Sequence, residues 1–281
     1  MKTKYLLTVA LLALVGMGTS ARATLVTANL NDLILGFRAT GGTGAATNLE
    51  VNLGNVSQFY GVSGTFGLSA LSAADLVATY GSDWNTRTDL VWGIVGTTGS
   101  AAGTTIGSNT LAASTLWATR SESTPGLQST PWTQGASEFA QQGAANTIST
   151  LYSGAVGSLG GKTSTGNSTV SATIGTSSLG SWSNKEGTNA SAFTFFNPKS
   201  QFENGTNGSL HVSDLYELQS VAGSASYLGS FALTSDGALS FSSTPSGAAA
   251  VPEPSTYAAI LGAVTLGFVA FRRRAQRLAK A

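Results

Sequence analysis

Several short segments in the middle of the chain alternate apolar and polar residues with the period of two that is typical of β-strands. In residues 48–53 the apolar side chains of Leu49, Val51 and Leu53 fall on one face, which predicts a half-buried strand. Three further segments have strand-like apolar patterns: residues 90–95, which predict a central strand, 116–119 and 193–196. The middle of the chain is therefore expected to be rich in β-structure.

The clearest β-hairpin lies in residues 227–243. A three-residue loop at positions 235–237 pairs Leu233 with Leu239 and keeps the apolar side chains on one face, whereas a two-residue loop would place Leu233 opposite a serine. The three-residue loop is therefore predicted, with Gly237 at the position that needs a positive φ.

Two short helices are also predicted. Ser72 and Asp75 have the spacing of a capping box, and Gly81 stops the helix that follows. Residues 137–152 are a second candidate, interrupted by Gly143.

The composition is unusual in charge and in glycine. Charged residues make up 10% of the chain, well below the roughly 25% that is usual in soluble domains. Stretches rich in glycine, serine and threonine at residues 96–109 and 153–191 predict long loops or irregular strands. The chain has no cysteine, which excludes disulfides, thiolate nucleophiles and cysteine-based metal sites.

The distribution of charge matters more than the total. Eight of the 14 basic residues lie outside residues 24–251, so this part of the chain has six basic against twelve acidic residues. An acidic domain lacks the basic patch that binds phosphate backbones, so no nucleic-acid partner is expected.

Residues 1–23 have the three parts of a secretory signal peptide. Two lysines give a positively charged start, an apolar run follows, and Ala21 and Ala23 are the small residues that precede a cleavage site. The apolar run is too short to cross a hydrocarbon layer of about 30 Å comfortably. Cleavage is therefore predicted after Ala23, so that the mature protein begins at Thr24.

The C-terminal region has three parts in order: the triplet Pro252, Glu253 and Pro254, a mostly apolar stretch at residues 257–271, and the cluster Arg272, Arg273 and Arg274. The prolines keep the backbone extended around the glutamate. The apolar stretch predicts a short transmembrane helix of about 22 Å. The arginines resist translocation, which places the residues before the helix outside and residues 275–281 in a basic cytoplasmic tail.

This arrangement over residues 250–274 resembles the PEP-CTERM sorting signal of Gram-negative bacteria. The resemblance implies that the protein is held in the inner membrane until a membrane-embedded exosortase recognises Pro252, Glu253 and Pro254 and removes the tail. The protein would then pass to the cell surface or extracellular matrix. The resemblance also implies an association with exopolysaccharide and biofilm.

The predicted organisation is a signal peptide at residues 1–23, an ectodomain at 24–249, the sorting signal at 250–274 and the cytoplasmic tail at 275–281. The fold class is mainly β, with an antiparallel β-sandwich-like ectodomain and one or two short helices. A signal helix and a transmembrane helix complete the chain.

Candidate catalytic residues are few. His211 is the single histidine, and although Asp214 lies three residues on, no Gly-x-Ser-x-Gly motif accompanies the pair. Asp83 and Asp89 flank Trp84 and invite comparison with a glycosidase carboxylate pair, but twelve acidic residues in this part of the chain make one such pair expected by chance. No catalytic residue, cofactor or metal is predicted.

The leading hypothesis is a non-enzymatic, exported surface or matrix protein that an exosortase processes and that is associated with exopolysaccharide or biofilm, with extracellular polysaccharide as a partner. A carbohydrate-binding module on the same sorting tail is a second hypothesis, which predicts an exposed row formed by several of Trp84, Trp92, Trp117, Trp132 and Trp182. The sequence is also compatible with a membrane-anchored protein whose tail is not cleaved, and with a secreted enzyme in which two carboxylates converge in a cleft.

Overall fold

The computed structural model describes residues 25–121, 132, 137–152, 159, 170–186, 195–196, 199–219 and 225–243. The strands are β1 (Asp32–Ala39), β2 (Thr47–Asn55), β3 (Thr65–Leu68), β4 (Leu90–Thr97), β5 (Thr104–Ile106), β6 (Asn109–Leu111), β7 (Leu116–Ser121), β8 (Ser171–Gly175), β9 (Asn204–Gly205), β10 (Leu210–Leu218), β11 (Ser226–Thr234) and β12 (Leu239–Ser242). The α-helices are α1 (Ala73–Tyr80), α2 (Glu138–Ser149) and α3 (Trp182–Glu186). Short 3₁₀ helices lie at Val56–Phe59, Trp84–Thr86 and Lys199–Gln201.

The predicted mainly β, antiparallel fold with short helices is confirmed. Ten strands form one sheet in the order β3-β12-β11-β10-β7-β4-β1-β2-β8, with β9 paired to β4, and β5 and β6 form a separate pair. The predicted central strand at residues 90–95 is confirmed, since β4 lies in the middle of this order between β7 and β1.

The sheet is strongly curled. At a strand spacing of about 4.8 Å, β12 and β8 would lie about 34 Å apart in a flat sheet. Yet the first turn of α1 contacts both β8 and the turn that leads into β12. The Asp75 carboxylate accepts a hydrogen bond of 2.8 Å from Ser171 in β8, and a Cβ built on Gly237, in the β11–β12 turn, would lie 2.8 Å from the Cβ of Ala73. Helix α1 therefore lies between the two ends of the curled sheet.

Helix α1 begins and ends where the sequence predicts. The Ser72 side chain accepts from the amide of Ala74, and Gly81 ends the helix with a φ of 94°. The Asp75 side chain bonds to Ser171, so the reciprocal half of the predicted capping box is replaced by a tertiary contact. At the other end of α1 the Tyr80 hydroxyl donates to the carbonyl of Phe37, at 2.7 Å, and accepts from the amide of Leu49.

Both faces of the sheet are covered. The inner face carries a core of leucine, valine and aromatic side chains, in which the ring of Phe59 packs 5.0 Å from that of Phe241 and 5.4 Å from that of Phe231. The outer face packs against α2, α3 and the described residues around Phe196 and Phe202. This double coverage explains why so many strands are buried throughout their length.

Strand β2 shows the consequence of that coverage. Leu49, Val51 and Leu53 face the inner core as predicted, but Asn48 and Glu50 on the opposite face are fully buried as well. The prediction of a half-buried strand was therefore wrong for its polar face. The polar face of β2 is covered by α3, which bonds to Glu50 and Asn48. The alternating pattern therefore separates an apolar inner core from a buried polar layer under α3.

The predicted hairpin is confirmed. Leu233 pairs with Leu239 across β11 and β12. The amide of Thr234 bonds to the carbonyl of Ala238, which leaves a three-residue loop, and Gly237 has a φ of 84°.

The remaining predictions had mixed outcomes. Strand β7 confirms residues 116–119, and α2 confirms the helix within residues 137–152 but passes through Gly143 without a break. Phe195 and Phe196 are not in a strand, and residues 193–194 lie outside the described residues. The glycine-rich stretch at 96–109 contains β5 and the start of β6.

Candidate functional site

The residues that the sequence assigns to export and sorting lie outside the described residues. These are Ala21, Ala23 and Thr24 at the predicted signal cleavage site, Pro252, Glu253 and Pro254 in the sorting triplet, and Arg272, Arg273 and Arg274 at the membrane stop. The predicted signal helix and the transmembrane helix at residues 257–271 lie outside them too. Candidate chemistry in the ectodomain must therefore be sought on the curled sheet and its loops.

A charged cluster lies on the outer face of the sheet. Arg38, on β1, binds both carboxylate oxygens of Glu203, with Nε 2.8 Å from Oε1 and 3.0 Å from Oε2. Its guanidinium is also 3.4 Å from Glu186 at the end of α3. Burial alone would lower the pKa of Arg38, but the hydrogen bond to Glu203 and the charges of both glutamates outweigh it and raise the pKa above its ordinary value.

Trp182 connects this cluster to a second buried carboxylate. Its indole Nε1 donates to Glu203 Oε1 at 2.8 Å, and its backbone amide donates to Glu50 Oε1 at 2.6 Å. The indole lies against Gly36 of β1 and stacks on Phe202, with ring centroids 5.6 Å apart. The arrangement fixes α3 on β1 and β2 by hydrogen bonds, charge and close packing, which is a structural role.

Lys185 is a further buried charge close to this cluster. The residue is 3% exposed, and Nζ donates to Asn184 Oδ1 at 3.2 Å. Burial lowers the pKa of its amino group, with the charge of Glu50 acting in the opposite direction. Because the folded-state pKa lies below 10.5, the unfolded state binds more protons between the two values, and stability rises with pH across that interval.

We expect Lys185→Met to raise the free energy of unfolding by about 1 kcal/mol near neutral pH, since it removes a poorly compensated buried charge. The gain should shrink as the pH approaches 10.5, where the lysine of the unfolded chain loses its proton. Denaturant unfolding of both proteins across this pH range measures the difference. Lys185→Arg, which keeps the charge, should show no such gain. A gain independent of pH would contradict the assignment.

Asp83 and Asp89 have different surroundings. The Asp89 carboxylate is held by Arg87, with Nε to Oδ1 at 2.9 Å and Nη2 to Oδ2 at 2.7 Å. This hydrogen bond lowers the pKa of Asp89. Arg87 also donates to the carbonyl of Tyr80, so the pair ties loops together. Asp83 is exposed, and Trp84 between the two is buried.

His211 and Asp214 do not form a dyad. They lie three residues apart on β10, and side chains at such a spacing point to opposite faces of a strand. The Asp214 carboxylate instead accepts a hydrogen bond of 2.7 Å from Ser230. Within the described residues, no group of three or more metal-binding side chains is found.

All five tryptophans are buried, Trp84 at 4% exposure, Trp132 at 1% and Trp92, Trp117 and Trp182 at 0%. The exposed row of indoles that the hypothesis of a carbohydrate-binding module predicted is therefore not formed. The tryptophans fill the core, as large aromatic side chains commonly do.

A cleft lies elsewhere on the domain, and no sequence motif marks it. It has a volume of about 390 Å³ and is bounded by the turn before β1, the loop after β4 and the last turns of α2. The glycine-rich composition after β4 predicts only a connecting loop. Because α2 packs beside that loop, the loop forms one side of the cleft.

Comparison with known protein families shows that residues 250–274 match the PEP-CTERM protein-sorting motif, the stretch and the signal that the sequence predicted. No curated protein and no solved structure matches the chain. In the part of the chain that the structure describes, no helix is long and apolar enough to cross a membrane. The chain thus carries a PEP-CTERM sorting motif, which implies an exported protein that an exosortase, a membrane protein, processes.

Proposed function

We propose that this is a non-enzymatic surface or matrix protein that is released from the inner membrane by its exosortase and associates with extracellular polysaccharide. The sorting motif at residues 250–274 carries the proposal, because it links the chain to an envelope-processing route. The ectodomain is the part that remains after the tail is removed.

The packing of the ectodomain supports a structural role. The charged pair Arg38–Glu203 helps to hold α3 on the sheet, because Glu203 also accepts from the Trp182 indole and Arg38 lies 3.4 Å from Glu186. Of the two carboxylates that looked like catalytic candidates, Asp89 is bound by Arg87 in a loop contact and Asp83 is exposed. A cysteine-free β-domain with few charged residues suits a component of a hydrated extracellular matrix.

The first test is the mass and terminal peptides of the protein recovered from the cell surface and medium, with and without the exosortase. We expect the mature protein to start at Thr24 and to end near residues 252–254. Glu253→Ala should leave the tail attached to most of the protein molecules. Deletion of the exosortase should have the same effect. If Arg272 to Ala281 stays attached in the wild type, the tail is a permanent anchor and the release step is wrong.

The second test concerns polysaccharide. The processed protein should sediment with the extracellular matrix and be released when the matrix polysaccharide is digested. A processed protein that stays in the soluble medium and does not bind the matrix would contradict the polysaccharide association while leaving the sorting step intact.

A further inference from the structure

Strand β3 lies at one end of the sheet, and its outer edge is open. The amide of Ser243 donates to the carbonyl of Gly64, next to the paired strands β12 and β3. Because bonded pairs fall at every second residue of an antiparallel ladder, the amides and carbonyls of Thr65 and Gly67 point away from β12. Both residues are exposed. In the part of the chain that the structure describes, these four backbone groups have no hydrogen-bond partner.

The inner core is also incompletely covered at this edge. Of the seven described residues that are half-buried against this core, five lie in or beside β3: Tyr60, Val62, Phe66, Leu68 and Ala70. The ring of Phe66 packs 6.0 Å from that of Phe59, yet Phe66 stays partly exposed because no further strand lies beside β3. A strand added here would bury apolar surface and would also bind the open backbone groups.

Strand β3 lacks the features that usually protect an exposed strand edge, which are charged residues, prolines and bulges. Residues 51–74 contain no charged residue and no proline, and β3 pairs with β12 in an unbroken register. The edge at the other end of the sheet differs, because the Asp75 carboxylate bonds to Ser171 in β8. Strand β3 is therefore the edge that is open to another strand.

The charge of the domain limits where two copies of it can meet. Residues 24–251 have six basic against twelve acidic residues, so two copies repel each other wherever their charged loops approach. At the edge of β3 no charged residue of residues 51–74 opposes the approach of a second copy.

We propose that β3 pairs with β3 of a second copy of this chain, antiparallel about a two-fold axis at Phe66. Thr65 then lies opposite Gly67 of the second copy, and such a pair exchanges two backbone hydrogen bonds. The symmetry creates this pair twice, so all four open groups of each copy are bonded. The Thr65 side chain has room there, since a Cβ added to Gly67 would meet nothing within 4 Å. The two Phe66 side chains lie side by side and cover the open part of the core.

The pairing is weak, because the contact is small. Strand β3 has four residues, whereas each partner contributes roughly 20–30 residues to a stable interface. The dimer therefore forms at high protein concentration and dissociates on dilution. The inference does not depend on the proposed polysaccharide association.

The first test is sedimentation velocity of the processed protein over a range of concentrations. Gly67→Pro removes the outward amide of β3 and with it two of the four intermolecular hydrogen bonds, whereas Gly67→Ala keeps the amide and is the matched control. We expect the wild type and Gly67→Ala to dimerise reversibly, and Gly67→Pro to dimerise at least tenfold more weakly. A wild type that stays monomeric, or a dimer that Gly67→Pro leaves unchanged, overturns the proposal.

A second test fixes the register and does not depend on how well the proline variant folds. The chain has no cysteine, so each introduced cysteine reports a single contact. Thr65→Cys mixed with Gly67→Cys places two Cα atoms about 5.5 Å apart across the proposed pair, within the range of disulfides. Under mild oxidation this mixture should form far more mixed dimer than Thr65→Cys with Val77→Cys, at an exposed position of α1. Equal yields overturn the pairing.

Amide hydrogen exchange distinguishes a second copy from a segment of the same chain as the occupant of the edge. The amides of Thr65 and Gly67 should exchange freely in dilute wild-type protein and become protected as the concentration rises. Protection at every concentration would show that the chain covers its own edge, and fast exchange at every concentration would show that no second copy binds there. Either result overturns the proposal.

Discussion

Replacing Gly36 by alanine is expected to lower the free energy of unfolding by about 3 kcal/mol, at the upper end of overpacking effects. A Cβ at this position would lie 2.1 Å from Cδ2 and Cε3 of Trp182, far inside contact distance. The indole cannot move aside cheaply. It stacks on Phe202 and donates to Glu203, and the amide of the same residue bonds to Glu50.

The matched control is Gly143→Ala in the exposed interior of α2, where an added Cβ meets nothing within 4 Å. This substitution should stabilise the domain by about 1 kcal/mol, because alanine is the better helix former. Denaturant unfolding followed by circular dichroism gives both free energies, and tryptophan fluorescence reports displacement of the indole. If the two variants have the same denaturant midpoint of unfolding, α3 does not pack on β1 as described.

Glu203→Gln is expected to cost about 2 to 3 kcal/mol, because it leaves the mostly buried Arg38 without its bidentate partner. The side chains of Arg38 and Glu203 are only 18% and 11% exposed. Glu186 remains nearby at 3.4 Å and limits the loss. Replacing both partners by apolar residues, as Arg38→Met with Glu203→Leu, should recover most of the stability, since no unpaired charge is left.

The Arg87–Asp89 pair is the control for this prediction. Its aspartate side chain is 33% exposed, so Asp89→Asn should cost less than about 1 kcal/mol, with an effect that high salt reduces. The cost of Glu203→Gln should change little with salt. If the two variants lose the same stability and respond to salt alike, the Arg38 cluster is an ordinary surface pair.

Local features of the fold could be predicted from the sequence. The register of the β11–β12 hairpin followed from its apolar face, and the limits of α1 followed from Ser72 and Gly81. Helix α3 was missed, and strand β8 lies in a stretch predicted only as long loops or irregular strands, because these short sequences rich in glycine, serine and threonine have no clear periodicity. The burial of Glu50 could not be foreseen either, since it depends on α3 covering β2.

The functional and structural sites also differ in how far the sequence predicts them. The sorting motif is contiguous, so its triplet, apolar stretch and arginines could be recognised directly. The partners Arg38 and Glu203 are 165 residues apart, and nothing in either neighbourhood marks the other. The cleft is similar, because Asn31, Thr104 and Ser149 come from three distant segments that only the curled sheet and α2 bring together.

The order of strands in the sheet also constrains how this protein can fold after export. Strand β3 pairs with β12, and β2 pairs with β8, so early strands obtain their partners from segments near residues 171 and 242. Such long-range pairing makes folding slow. If the chain crosses the membrane with its N-terminus first, the sheet cannot be completed until almost the whole ectodomain has emerged. Products truncated before β12 would leave β3 and the edge of β11 unpaired, and such strand edges promote aggregation.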